Sequence, residues 1–347
     1  MKIHYDNIIY SLQNAGGISS YWTSLISRFL RDNFDISFTE YTNQNISRLE
    51  LNIPSEKLIV QRKKLVLVER FKKLFLKNHH EPFIFHSSYN RFTNHPQAKS
   101  VVTIHDFVHE RFYGGLRRYL HVLQKNKAIE AADQIIVVSE NTRRDLLKFH
   151  PSLKEERITV IYNGVSDAFF PVAAQSSTQR PYLLFIGSRA HYKNFNFAVL
   201  LLQTLPEFDL YIVGAALSKS EGQSLNHKLS GRWKVFTNIE NQELNLLYNQ
   251  SFALVYPSSY EGFGIPLLEV MKTGTPFVAL NRSSIPEVAG DAGLLVNELD
   301  IDAFRQAIYS ISGNEALLQE KGLEQSKKFS WEQCYQETLQ VYQALVP

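Results

Sequence analysis

At 347 residues and 44% apolar, the chain has room for two α/β domains and the composition of a soluble globular protein. Its single cysteine, Cys334, excludes an internal disulfide and points to a reducing compartment. Net charge is only +3, and neither a zinc-ligand spacing nor an RNA-binding signature is present, which argues against nucleic acid as a partner. That charge is uneven: residues 1–170 hold 24 Lys/Arg against 17 Asp/Glu, a surplus of +7, and the remainder holds 13 against 17, or −4. Residues 1–30 lack the charged and apolar regions of a signal peptide, and no apolar run approaches the ~20 residues of a membrane span. A cytoplasmic protein is the expectation.

Short apolar runs alternate with amphipathic stretches, the pattern of α/β domains with parallel sheets covered on both faces. The first strand is expected at Lys2–Tyr5. Asn14-Ala-Gly-Gly-Ile18 follows it and precedes a helix at about 18–31; Gly16 and Gly17 would let backbone amides approach a phosphate. Further strands are expected at Asp35–Tyr41, Pro82–Phe85, Val101–Ile104, Gln134–Val138 and Ile158–Ile161. Between the second and third lies a basic segment, Arg62–Lys77. Its apolar residues recur at helical spacing, so it reads either as an ordinary surface helix or as peripheral membrane contact. His105 closes Thr103-Ile-His-Asp106 at a strand's carboxyl edge, where open α/β sheets bind ligands. His105 and His109 imitate a metal pair, but no third ligand is evident, and no metal or cofactor is expected.

Asn163-Gly164, Pro171 and the small polar run Ala173–Gln179 mark a boundary. The chain divides into an N-terminal domain at 1–165, a linker at 166–179 and a C-terminal domain at 180–329, with a closing helix at 330–347. Strands of the second domain are expected at Tyr182–Ile186, Asp209–Val213, Trp233–Phe236, Phe252–Tyr256, Pro276–Leu280 and Gly293–Val296. Gly187-Ser-Arg-Ala-His-Tyr-Lys-Asn194 follows the first of these, and Arg189 and Lys193 could both reach a pyrophosphate. After the fourth comes Ser259-Tyr-Glu-Gly-Phe-Gly-Ile-Pro-Leu-Leu-Glu269. Pro266 suits the first turn of a helix, so Glu261 is expected in a Gly-rich loop and Glu269 in the first helical turn. The amides of Phe263, Gly264 and Ile265 would face the same point. Two carboxylates and several donors at the mouth of a sheet suit a ligand rich in hydroxyls with some negative charge, such as a sugar nucleotide. Asp300-Ile-Asp302 imitates a metal-binding pair and reads better as a helix cap.

The Glu-x7-Glu pair enclosing Gly-Phe-Gly-x-Pro resembles the signature of retaining glycosyltransferases of family 4. Gly16–Gly17, Lys193-Asn194, His105 and Ser283-Ser-Ile-Pro-Glu-Val288 match further segments of that family, and the resemblance spans nearly the whole chain. The Ser-Ser-x-Pro-Glu-Val form is similar to bacterial mannosyltransferases of surface-polysaccharide assembly, including O-antigen and lipopolysaccharide. The resemblance implies the GT-B architecture, two Rossmann-like α/β domains with parallel sheets facing across a cleft, with the closing helix crossing back onto the first domain. It implies transfer of a hexose or deoxyhexose from a nucleotide-sugar donor, with GDP-mannose the first choice, to a glycan or lipid-linked acceptor. Anomeric configuration would be retained and no divalent metal needed. It assigns Glu269 to the ribose, Glu261 to the donor sugar beside Phe263, Gly264 and Ile265, and Lys193 with Arg189 to the diphosphate. Gly16 and Gly17 would also touch the diphosphate, and His105 the sugar near its reacting carbon. The family's usual arginine position is not matched: Ser188 and Tyr192 stand there, and Arg189 substitutes. Two rival readings stay open, a nucleotide-sugar epimerase or hydrolase of the same architecture and a non-catalytic carbohydrate-binding protein. Peripheral attachment to the cytoplasmic face of the inner membrane would follow from 62–77.

Overall fold

In the computed structural model, residues 1–61, 66–76, 80–173 and 180–346 are described, with Arg117 by its backbone alone. The chain forms two units: Met1–Asn163 together with the helix Trp331–Leu345, and Gly164–Ser330.

The first unit is built on seven strands: β1 (Lys2–Asp6), β2 (Asp35–Tyr41), β3 (Leu58–Gln61), β4 (Phe83–Ser87), β5 (Ala98–Ile104), β6 (Gln134–Val137) and β7 (Ile158–Val160). They pair in the order β3-β2-β1-β4-β5-β6-β7, parallel throughout. The second unit has six: β8 (Tyr182–Ile186), β9 (Asp209–Val213), β10 (Trp233–Phe236), β11 (Ala253–Tyr256), β12 (Phe277–Leu280) and β13 (Leu294–Val296), in the order β10-β9-β8-β11-β12-β13, again parallel. Both are doubly wound sheets. Strand order reverses between β1 and β4 in one unit and between β8 and β11 in the other. A crevice opens at such a reversal, because the flanking helices depart to opposite faces.

All but one strand sit within a few residues of their expected places. The exception is β3, which the sequence analysis does not foresee. It is an edge strand with Ile59 and Val60 largely exposed, so it lacks the buried apolar run that marks its neighbours. Residues 166–173, expected to be linker, pack within the second unit. Phe169 lies edge-on to Tyr248, and the amides of Phe170 and Val172 donate to the side chains of Asn245 and Asn249. Residues 174–179 lie outside the described residues. Of the basic segment, 62–65 and 77 also lie outside. The described part contains only a four-residue helix, Val66–Glu69, rather than the long amphipathic helix its spacing predicts. Asp300 caps the helix Ile301–Ile311 by accepting from the Ala303 amide, so Asp-x-Asp there is helix chemistry.

The helix Trp331–Leu345 completes the first unit's core. Trp331, Tyr335 and Tyr342 join Tyr5, Trp22, Phe29 and Phe38 in one cluster. Its polar tie runs to the sheet: Tyr342 Oη lies 2.6 Å from His86 Nδ1 and 3.1 Å from Tyr5 Oη, and His86 Nε2 lies 2.9 Å from Thr103 Oγ1. Thr103 lies two residues before His105, so this helix steadies the strand end that carries the histidine. Burial holds His86 neutral, with its pKa well below the ordinary imidazole range. Tyr342→Phe leaves His86 Nδ1 and the Tyr5 hydroxyl without this partner in a dry core. A loss of ~1–3 kcal/mol of stability is expected, read as a lower urea midpoint for the first unit. An unchanged midpoint would show the hydroxyl network to be dispensable.

Candidate active site

In the second unit, the loops that leave β8 and β11 stand side by side, because these strands are neighbours at the reversal. The β8 loop turns at Gly187, whose φ of +129° favours glycine. Gly214, after β9, has no room for a side chain, since a Cβ there would lie 2.6 Å from the Gly187 carbonyl oxygen. The two loops are tied by Asn194. It takes a left-handed conformation, and its amide donates to the Pro257 carbonyl and to Ser259 Oγ, both at 2.7 Å. The Ser259 amide donates to the Tyr192 carbonyl at 2.8 Å.

This frame brings Lys193 onto Glu261. Lys193 Nζ donates to both carboxylate oxygens, at 2.6 and 2.8 Å. Both side chains are largely covered, with 15% and 11% exposed. The Glu261 backbone is gripped from the turn after β12. Its amide donates to Ser283 Oγ, its carbonyl accepts from the hydroxyls of Ser283 and Ser284, and Ser284 also donates to the Phe263 carbonyl. These two serines hold the loop's shape. Gly264 then opens the helix Ile265–Lys272 with φ +109°, Pro266 lies in the first turn, and no side chain caps the amides there. Uncapped first-turn amides are anion acceptors by geometry and dipole.

Glu269 is not in the first turn, as expected, but opens the second, because the helix starts at Ile265. Tyr248 donates to its carboxylate at 2.7 Å. Burial pushes the Glu269 carboxyl up to about 7, and the Tyr248 bond offsets only part of that. Tyr256, at the end of β11, is buried within electrostatic reach of both glutamates, which together with burial raise its phenol well above the ordinary range. Neither tyrosine is a candidate site residue from sequence, because a strand or helix Tyr looks like core.

Arg189 differs from expectation. Its Nε donates to Glu221 and its two terminal nitrogens donate to the carbonyls of Ala215 and Ala216, at 2.7–2.8 Å. The guanidinium thus staples the turn after β9 to the capping box of the helix Lys219–Leu229. A cavity of about 320 Å³ lies on this flank, lined by Arg189, His191, Asn196, Glu221, Ser224 and Lys228. Neither Glu261 nor Glu269 lines it, but Asn194, which ties the two loops, does.

In the first unit, His105 follows β5. Its ring lies edge-on to Tyr21, with centroids 5.0 Å apart, and its buried Nε2 has no hydrogen-bond partner among the described residues. Burial lowers its pKa to about 4, with Asp106 opposing that shift and Lys125 adding to it. The ring is therefore neutral near pH 7, and Nε2 can accept from or donate to a hydroxyl, depending on the tautomer. Asp106 shapes the loop by accepting from the Val108 amide, and Lys125 Nζ donates to the Asp106 carbonyl. Gly16 stands at the head of the helix Gly17–Arg31, which no side chain caps. Among the described residues no group of three or more His, Cys, Asp or Glu side chains is arranged to hold a metal.

Residues 168–329 match the family described as Glycosyl transferases group 1, and residues 15–169 match Glycosyltransferase Family 4. The chain belongs to this family. It is 28% identical over 291 residues to O-antigen chain mannosyltransferase B of Escherichia coli, an alignment covering 77% of this chain and 75% of that protein. Two solved structures share its fold along nearly the whole length. Sucrose-phosphate synthase from Thermosynechococcus elongatus has a TM-score of 0.79 at 20% identity and covers 99% of both chains. Anabaena HepE, solved in complex with UDP-glucose, has 0.75 at 14% identity and covers 99% of this chain and 100% of that one. The two sheets are the GT-B fold of this glycosyltransferase family.

Glu269 generates a stability signature. Its folded pKa stands above the unfolded value, so it favours folding fully below about pH 4.5, and that contribution is lost as pH rises through about 7. Glu269→Gln copies the neutral acid at every pH. Its Tm relative to the unaltered protein should therefore climb across pH 4.5–7 and level off above. A Tm difference that is flat from pH 4 to 9 would mean that Glu269 titrates normally.

Proposed function

We propose that this glycosyltransferase moves a hexose or deoxyhexose, with GDP-mannose as first choice, from a nucleotide-sugar donor to a glycan or lipid-linked acceptor. Retention of anomeric configuration and a role in cell-surface polysaccharide synthesis are parts of the same reading. The observation that carries it is the Lys193–Glu261 pair beside the uncapped helix Ile265–Lys272 at the β8/β11 reversal. A mannosyltransferase relative favours mannose, and a fold neighbour bound to UDP-glucose shows that the fold alone does not choose the sugar.

The chemistry follows from charge. A departing nucleoside diphosphate gains negative charge, so a cation near it stabilises the transition state more than the ground state. Lys193 is the cation assigned to that role. One such contact at 4 Å is worth ~4 kcal/mol at an effective dielectric near 20, before desolvation. Engaging phosphate would loosen Lys193 from Glu261 and free that carboxylate to accept from sugar hydroxyls. Glu269 serves the ribose hydroxyls. Arg189, with its donors spent on Ala215, Ala216 and Glu221, supports the neighbouring turn. The neutral His105 offers a hydrogen bond to the donor sugar, and Gly16–Gly17 offer amides to the diphosphate. The leaving phosphate itself can take the acceptor's proton in front-face attack, so no separate base is required. Among the described residues no helix is long and apolar enough to cross a membrane. In this reading the enzyme works at the cytoplasmic face of the inner membrane, where the acceptor is presented, with the basic segment 62–77 in peripheral contact.

Transfer from an α-configured donor should proceed in EDTA and give the α-linked product by NMR. A β-linkage removes retention from the proposal, and loss of transfer restored by magnesium removes metal independence. Glu261→Ala should lower turnover by a factor on the order of ten to a hundred with little loss of affinity for free nucleoside diphosphate. Glu269→Ala should chiefly weaken nucleotide binding, by roughly tenfold for a lost hydrogen bond to a charged group. Calorimetry separates them: equal affinity losses would show the two glutamates to be wrongly assigned.

A further inference from the structure

Two tyrosines of the second unit stand against its two glutamates, and they differ in state. Tyr248 donates to the Glu269 carboxylate at 2.7 Å. Tyr256, the last residue of β11, is 2% exposed, and its hydroxyl oxygen is buried with no hydrogen-bond partner. Among the described residues it is the only buried side-chain polar atom of the second unit in that condition. A buried hydroxyl without a partner is unfavourable, so native structures hold few, and one beside a candidate site calls for a reason.

Its neighbours give that reason. Lys193 Nζ lies 5.7 Å from the Tyr256 ring centroid, so the phenol borders the Lys193–Glu261 ion pair. Burial, then Glu261 and Glu269, disfavour its ionisation. It therefore stays a phenol, with one hydrogen to donate. Two carboxylates lie near, and both are engaged: Lys193 holds both oxygens of Glu261, at 2.6 and 2.8 Å, and Tyr248 holds Glu269. A bidentate hold fixes a carboxylate's orientation as well as its charge. In that orientation Tyr256 completes no hydrogen bond with it.

We infer that Tyr256 is a positioning residue that takes over Glu261 when a ligand's diphosphate draws Lys193 away. Its hydroxyl then donates to one carboxylate oxygen and leaves the other to face the donor sugar. The inference rests on the role proposed for Lys193 and adds what holds Glu261 afterwards. A side chain only 11% exposed needs a new donor once its ammonium partner leaves, because an unpaired covered charge is strongly disfavoured. Ser283 and Ser284 are engaged on the carbonyls of Glu261 and Phe263. The Tyr256 ring is already buried and fixed, so little side-chain freedom is lost when its hydroxyl engages.

The test is calorimetry of the full chain with GDP, UDP, ADP and dTDP in turn, on the unaltered protein, Tyr256→Phe, Glu261→Ala and the double variant. Without nucleotide, Tyr256→Phe should melt at or above the temperature of the unaltered protein, because no resting hydrogen bond is lost. Its affinity for the nucleotide that binds should fall by about tenfold or more, the effect of a lost hydrogen bond to a charged group. In the Glu261→Ala background the same substitution should change affinity by less than about twofold, since there is no carboxylate to hold. A merely structural tyrosine would give a lower melting temperature and the same affinity loss in both backgrounds, and either result overturns the inference. If the unaltered protein binds none of the four nucleotides, the functional reading falls and this inference with it. If it binds one and Tyr256→Phe binds it as tightly, this inference alone falls.

Discussion

Parallel pairing of every strand is the constraint on which the rest depends. It sends each strand's carboxyl end to the same edge of its sheet, and each return path must be a crossover over one face. At β1/β4 and β8/β11 the crossovers part to opposite faces. The loops that follow these strands are therefore the ones with room to lie open. Lys193 and Glu261 are 68 residues apart, and they meet because β8 and β11 are neighbours. The same logic sets His105 at the carboxyl edge of the first sheet, after β5.

Electrostatics then explains the resting state of the site. A covered lysine or carboxylate is costly unless it is paired. Lys193 and Glu261 neutralise each other, Arg189 is satisfied by Glu221 and two carbonyls, and Glu269 holds a proton more readily than a surface acid does. In the first unit, burial keeps His105 neutral near pH 7.

The first unit meets different demands. Its core is closed by a helix from the far end of the chain, and Tyr342, His86 and Thr103 carry that closure to the strand beneath His105. Its helix Gly115–Ala131 accepts polar residues inside because Lys125 and Gln124 find partners there. With those positions taken, the helix's leucines face out. The surplus of positive charge in the first half of the sequence thus lies on the unit that also shows these outward leucines.

Much of this is written locally. Buried parallel strands are short apolar runs, so twelve of the thirteen could be placed from the residues alone. Glycine, proline and Glu-x7-Glu announced the loop at Glu261 through local backbone needs. The edge strand β3 escaped because an exposed strand has no buried run to reveal it. The helix start at Ile265 shifted Glu269 by a turn, since helix boundaries depend on where the preceding loop lets the first bond close. Partners were beyond the sequence altogether. That Lys193 rests on Glu261, that Arg189 is consumed by the turn after β9, and that Ser283 and Ser284 grip the loop depend on contacts between segments tens of residues apart. Residue types and spacing determine which chemistry is available and on which element it sits. Only the packing of those elements decides which charges meet, which lose water, and which face of a helix is left outside.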